Sequence, residues 1–191
     1  AAHDLIARAH QSDEPLYVVA IGAITNVASA LIIDPSIVEK IVVVWLGGQP
    51  YHWPSAHEFN LQQDLHASRL VFNSGVPLIQ IPCQAVASHL LTTVPELEAL
   101  VAGRGAIGDY LVEIFKGYSD THYAWSKVIW DISAPGWLLD PSWVPSELVH
   151  SPILTDQCTY SVDRSRPLVR VATAVNRDAI FRDLFRKIEA Q

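Results

Sequence analysis

At 191 residues, half of them hydrophobic, the chain is long enough for one packed domain and too apolar for a disordered one. A net charge of −7 provides no basic footprint for nucleic acid. Cys83 and Cys158 are too few for a disulfide framework and read as buried thiols of a cytoplasmic protein, a single bridge being the alternative, while the apolar runs at 16–24 and 41–46 fall short of a membrane span.

Leu5, Ile6, Ala9 and His10 share helical spacing over residues 2–11, and Ser12-Asp13-Glu14-Pro15 ends the pattern. Leu16 to Ile21 is a continuous β-branched run closed by Gly22, as expected of a strand buried on both faces. Thr25-Asn26 opens an apolar helix that runs to Ile33 and stops at Asp34-Pro35. A second buried strand, Ile41 to Leu46, ends in Gly47-Gly48. Asp64 is placed to cap a helix that Gly75 terminates, and Leu78 to Ile81 is a third strand. The spacing then predicts helix from 93 to 119, with Ile107, Tyr110, Leu111, Ile114 and Phe115 on one face. Residues 120–150 are rich in Trp and Pro and read as a long loop with helical pieces. A last strand, Val169 to Val175, leads to a helix capped by Asn176 that turns Phe181, Leu184, Phe185 and Ile188 inward.

Alternating strands and helices at this spacing define one α/β domain over 1–191, a doubly wound and mostly parallel sheet flanked by helices. Ligands of such sheets bind beyond the carboxyl ends of the strands. There the chain carries Ile21-Gly22, Gly47-Gly48 and the polar loop holding Glu58 and Asn60. The glycines serve either close backbone approach to a ligand or tight turns. Glu58 and Asn60 are two residues apart, so an extended backbone would aim both side chains one way, at a polyhydroxylated ligand such as a sugar; a solvated loop is the alternative. Asp131 interrupts the apolar run Val128-Ile129-Trp130 and needs a partner if buried, a cation being one. His52 and His57 flank the loop as general-acid or plain loop histidines, and no histidine set has zinc spacing.

Taken in order, these stretches resemble the inosine-uridine preferring nucleoside hydrolase family. Ile21-Gly22-Ala23-Ile24-Thr25-Asn26-Val27-Ala28 resembles the family's G-P-L-T-N-[IV]-A turn, Leu46-Gly47-Gly48 its M-G-G strand end and Glu58-Phe59-Asn60 its E-F-N ribose motif. The helix from Asp64 to Gly75 and the pair Trp130-Asp131 follow in order, the Trp form being similar to purine-specific members. The resemblance implies Ca²⁺-assisted hydrolysis of the N-glycosidic bond of ribonucleosides, purines preferred, with a nucleoside as substrate and a homo-oligomer as the complete protein. It assigns metal ligation to the Ile21 carbonyl and to Asp131, ribose contacts to Glu58, Asn60 and Leu46, and base stacking to Trp130. His52 or Trp53 falls where the family has a further ribose-binding Asn. Asp131, Glu58 and Asn60 are thus the expected catalytic set.

One family motif has no counterpart. The D-x-D-x-x-x-D-D segment after the family's first strand supplies most calcium carboxylates, and nothing here resembles it. The chain also has no methionine and opens on Ala1-Ala2-His3-Asp4-Leu5-Ile6, which reads as a helix interior. The expectation is therefore a fragment or subunit that lacks the N-terminal βαβ part and its aspartates and is inactive alone. The alternatives are a non-catalytic ribose- or nucleoside-binding scaffold, and a doubly wound domain of another class.

Overall fold

β-Branched runs lie side by side as strands in the computed structural model of the chain, which describes residues 1–190. In chain order the main elements are α1 (Ala2–Ala9), β1 (Leu16–Ala20), α2 (Thr25–Ile33), β2 (Ile41–Leu46), α3 (Phe59–Gln62), α4 (Leu65–Ser74) and β3 (Leu78–Ile81). There follow β4 (Leu91–Thr92), α5 (Val94–Leu100), α6 (Ala106–Lys116), β5 (Lys127–Val128), α7 (Ser133–Leu139), β6 (Ser146–His150), β7 (Ile153–Leu154), β8 (Tyr160–Ser161), β9 (Leu168–Ala172) and α8 (Arg177–Glu189). The central sheet has the order β1-β2-β3-β9-β6. β1, β2, β3 and β9 are parallel, with Val18 opposite Val43, Val44 opposite Ile79 and Ile79 opposite Arg170, and β6 closes the edge antiparallel to β9.

Side chains alternate across a strand, so β2 feeds two cores. Val43 and Trp45 pack with Val27, Leu31 and Phe72 beneath α1, α2 and α4, while Val44 and Leu46 pack with Val112, Ala134, Phe181 and Phe185 of α6, α7 and α8. This double burial is why the sequence there reads as an unbroken apolar run. The expected caps form: Asp64 Oδ1 accepts from Ala67 N at 2.9 Å, and Asn176 Oδ1 from Ala179 N at 3.1 Å. The other Asp64 oxygen accepts from Thr25 Oγ1 at 2.6 Å, tying α4 to the start of α2. These bonds hold the Asp64 carboxyl below its ordinary range.

Four expectations need correction. β1 is not buried on both faces: as an edge strand of the sheet it leaves Tyr17 and Val19 exposed. The helix over 93–119 is two helices, because Gly103 and Gly105 adopt φ of +73° and +99°, a left-handed backbone that breaks the ladder. The region 120–150 is not all loop and helix. It contains β6, a sheet-edge strand whose polar Glu147 and His150 hide the apolar signal. The last main-sheet strand ends at Ala172, short of Val175. None of the described helices is long and apolar enough to cross a membrane.

The end of β2 is the most constrained turn. Trp45 Nε1 donates to the Gly22 carbonyl at 3.0 Å, binding the ends of β1 and β2 together, and its indole fills the space a side chain at Gly47 would need. Gly48 has φ +73°, and a Cβ there would lie 2.5 Å from Tyr160 Oη and 2.7 Å from Gln80 Nε2. Strain and overlap act together, so Gly48→Ala is expected to lower unfolding free energy by about 2–4 kcal/mol in a urea titration. An unchanged midpoint would refute this account of the turn.

Candidate active site

Parallel β1, β2 and β3 deliver their carboxyl ends to one side of the sheet, and a cavity of about 590 Å³ opens there. It is lined by Ile21 just past β1, Leu46 at the end of β2, Glu58 and Asn60 from the following loop, Cys83 past β3, and Trp130 and Asp131 from the turn between β5 and α7. Residues from five separate segments therefore converge.

Glu58 and Asn60 do converge, but not as two side chains of an extended strand. Glu58 has extended φ/ψ (−149°, 147°) and is the N-cap of α3, with Asn60 already inside the helix. Its Oε1 accepts from Asn60 N at 2.9 Å, and its Oε2 accepts from Gly48 N at 2.8 Å and Leu61 N at 3.0 Å. A carboxylate has about four lone-pair sites, so these bonds leave it room for about one further donor. Asn60 is buried and donates Nδ2–H to the Leu46 carbonyl at 2.9 Å, while its Oδ1 has no partner among the described residues. The pair thus offers a fixed anion and a fixed amide oxygen.

Asp131 sits in a 3-10 turn, and its carboxyl, which makes no hydrogen bond or ion pair among the described residues, is raised by burial against the cavity wall. The turn is steadied by Ser133 Oγ, which donates to the Trp130 carbonyl at 2.8 Å. Cys83 is 7% exposed; burial chiefly, then the neighbouring Glu58 and Asp131, push its thiol up. Burial and Glu58 also raise the Cys158 thiol, and both cysteines are free.

His52 and Trp53 are not on this cavity. His52 lines a separate one of about 330 Å³ with Tyr51, Glu147 and Thr173, and Trp53 lies on neither. The loop carrying them is turned away by Gln49, whose N donates to Tyr160 Oη at 3.2 Å, whose Nε2 donates to the His57 carbonyl at 3.1 Å, and whose Oε1 accepts from Gln84 N at 3.2 Å. His57 does line the cavity, paired with Gln62 Oε1 at 3.0 Å. Gln49, Gln84 and Cys83 are lining residues that sequence reasoning missed. Gln80 was also missed, although a lone amide inside Leu78-Ile79-Gln80-Ile81 is a legible signal. It is fully buried, donates to the Gly47 carbonyl at 2.9 Å and accepts from the Tyr51 hydroxyl.

Calcium takes six to eight oxygens. On this cavity Asp131 is an unpaired carboxylate, Glu58 is engaged by three N–H groups, and no cluster of three or more His, Cys, Asp or Glu able to hold a metal occurs among the described residues. The residues present do not make a calcium site by themselves.

Fold and cavity together define an α/β protein with a polar pocket at the carboxyl edge of its sheet. The inosine-uridine preferring nucleoside hydrolase family matches residues 1–182, and the chain belongs to that family. The pyrimidine-specific ribonucleoside hydrolase RihB of Shigella flexneri is 27% identical over 144 residues, 71% of this chain and 45% of that protein. The inosine-uridine preferring nucleoside hydrolase of Bacillus anthracis superposes with a TM-score of 0.80 at 20% identity, over 100% of this chain and 65% of that one. The purine-preferring ribonucleoside hydrolase of Gardnerella vaginalis gives 0.84 at 19% identity, again over 100% and 65%. The chain spans about half the length of the curated relatives it matches.

Two outcomes are expected from this geometry. Glu58→Gln keeps the shape but sets an amide N–H against backbone N–H groups, so stability should fall by about 1–3 kcal/mol in chemical denaturation. With both thiols buried and raised, Cys83 and Cys158 should resist iodoacetamide at pH 8 in the native chain and react in urea; fast native labelling of Cys83 in a mass-spectrometric time course would contradict the packing described.

Proposed function

We propose that the protein hydrolyses the N-glycosidic bond of ribonucleosides, releasing ribose and base, and that this chain supplies the sugar- and base-facing wall of the site. The observation that carries the reading is the convergence of Glu58, Asn60, Trp130 and Asp131 on one cavity. Ribose presents adjacent hydroxyls. Asn60 Oδ1 and the remaining acceptor capacity of Glu58 are two fixed acceptors for them, held by backbone bonds rather than by flexible side-chain packing. Breaking a glycosidic bond builds positive charge on the sugar, and a preorganised carboxylate favours that charge without reorganising. Asp131 contributes a second, partner-free carboxylate on the same wall.

Calcium enters this proposal only with oxygens from outside these residues, Asp131 and the Ile21 carbonyl being the contributions expected from this chain. A purine preference rests on Trp130, whose indole is on the cavity wall and offers a wide face for stacking. A second reading, nucleoside binding without turnover, is favoured by the lack of a metal-ligand cluster among the described residues.

The test compares inosine and uridine turnover by the chain alone and joined to the sequence that flanks it in its gene, with and without chelator. The longer form is expected to turn over inosine faster than uridine and to lose activity with chelator. Trp130→Ala should cost about tenfold or more on inosine and less on uridine, and Asp131→Ala should abolish turnover. Uridine as the better substrate overturns the purine assignment. Tight nucleoside binding without turnover in either form selects the binding reading.

A further inference from the structure

Trp130 and Asp131 are carried by a very short ribbon. β5 ends two residues before Trp130 and pairs with β4 in a two-stranded sheet, Val128 opposite Leu91 and Lys127 opposite Thr92. Ile129 N extends the pairing by donating to the Leu90 carbonyl at 2.8 Å. A two-stranded ribbon of this size is too small to hold its place in water unaided. Arg177, the first residue of α8, reaches both residues of β4. Its Nε donates to the Leu91 carbonyl at 3.0 Å, and its Nη2 is paired with Glu96 Oε2, the same oxygen that accepts from Thr92 Oγ1 at 2.6 Å. The guanidinium lies over Phe181, 4.3 Å from the ring centroid, and Phe181 is buried in the core shared with Val44 and Leu46 of β2.

We propose that Arg177 is a positioning residue for the candidate site: it anchors the β4–β5 ribbon to α8 and so fixes where Trp130 and Asp131 stand on the cavity wall. The inference rests on the nucleoside reading above and extends it to a residue that does not line the cavity. The side chains of Arg177 and Glu96 are 29% and 25% exposed, so their charge-assisted bonds are sheltered from the screening that weakens surface pairs. A planar fork suits the task, because one guanidinium meets a carbonyl and a carboxylate at fixed angles while its face rests on an aromatic ring. Without it the Leu91 carbonyl and Glu96 lose this donor, and the ribbon keeps little beyond its own few backbone bonds.

The experiment combines hydrogen exchange of the chain carrying Arg177→Gln with nucleoside turnover by the longer form carrying the same substitution. Amide exchange over residues 127–131 is expected to quicken about tenfold or more, with α2 and β2 unchanged. kcat/KM should fall about tenfold or more for inosine and less for uridine, so that their ratio shifts in the direction expected of Trp130→Ala. Arg177→Lys, which restores the charge facing Glu96 without the fork, should move both readouts the same way by less. Lys187→Gln removes a cation from the same helix, where it pairs with Asp183, and should change neither. A smaller folded fraction would scale both nucleosides alike. An equal loss on the two, or unchanged exchange over 127–131, therefore overturns the positioning role and leaves the nucleoside reading standing. No turnover of either nucleoside by the unsubstituted longer form overturns that reading and this inference with it.

Discussion

Three backbone N–H groups, those of Gly48, Asn60 and Leu61, are aimed at the single carboxylate of Glu58. Charge-assisted bonds of this kind are roughly twice as strong as neutral ones, and here one anion joins the end of β2 to the first turn of α3. Remove it and a strand end loses its acceptor, a helix loses its cap, and Asn60 loses the backbone placement that lets its amide reach the Leu46 carbonyl. The candidate site is consequently a by-product of how the loop is tied down: the groups offered to a ligand are those left over after the backbone has been satisfied.

A second layer of polar order lies under that loop. Gln80, inside a strand buried on both faces, bonds the Gly47 carbonyl and the Tyr51 hydroxyl, and Tyr160 bonds the Gln49 N–H. Burial pushes both tyrosine hydroxyls well above their ordinary range, so they remain neutral donors and acceptors. Tyr51, Phe72 and Tyr160 meet edge to face, joining this network to the core beneath α2 and α4. Buried polar groups are tolerated only when paired, and pairing fixes their geometry. That is why the glycine at 48 has so little freedom to change.

The sheet and its helices were legible because periodicity and caps are local. β1, β2, β3, α2, α4 and α8 lie where the apolar runs and Asp64, Gly75 and Asn176 place them. β6 was not legible, since an edge strand with polar residues borrows its stability from β9 rather than from its own pattern. In the site, Glu58, Asn60, Trp130 and Asp131 could be named from motifs, but the use of Glu58 as a cap could not, because glutamate is not among the favoured N-cap residues. His52 and Trp53 were misplaced for a related reason. Sequence distance to a motif does not say which way a loop folds, and the Gln49 bonds that decide it run to Tyr160, His57 and Gln84.

The two margins of the central sheet are unlike. On one side β6 runs against its neighbour and carries Glu147 and His150, both of which discourage another strand from joining. On the other, β1 keeps the parallel sense and leaves Tyr17 and Val19 at 51% and 40% exposure, with no charged residue from Leu16 through Ile33. Parallel sheets ordinarily bury both faces. The cavity reaches from the carboxyl end of the central β3 out to that margin, and a parallel strand laid beside β1 would bring its own carboxyl end next to Ile21, adding a wall on the open side.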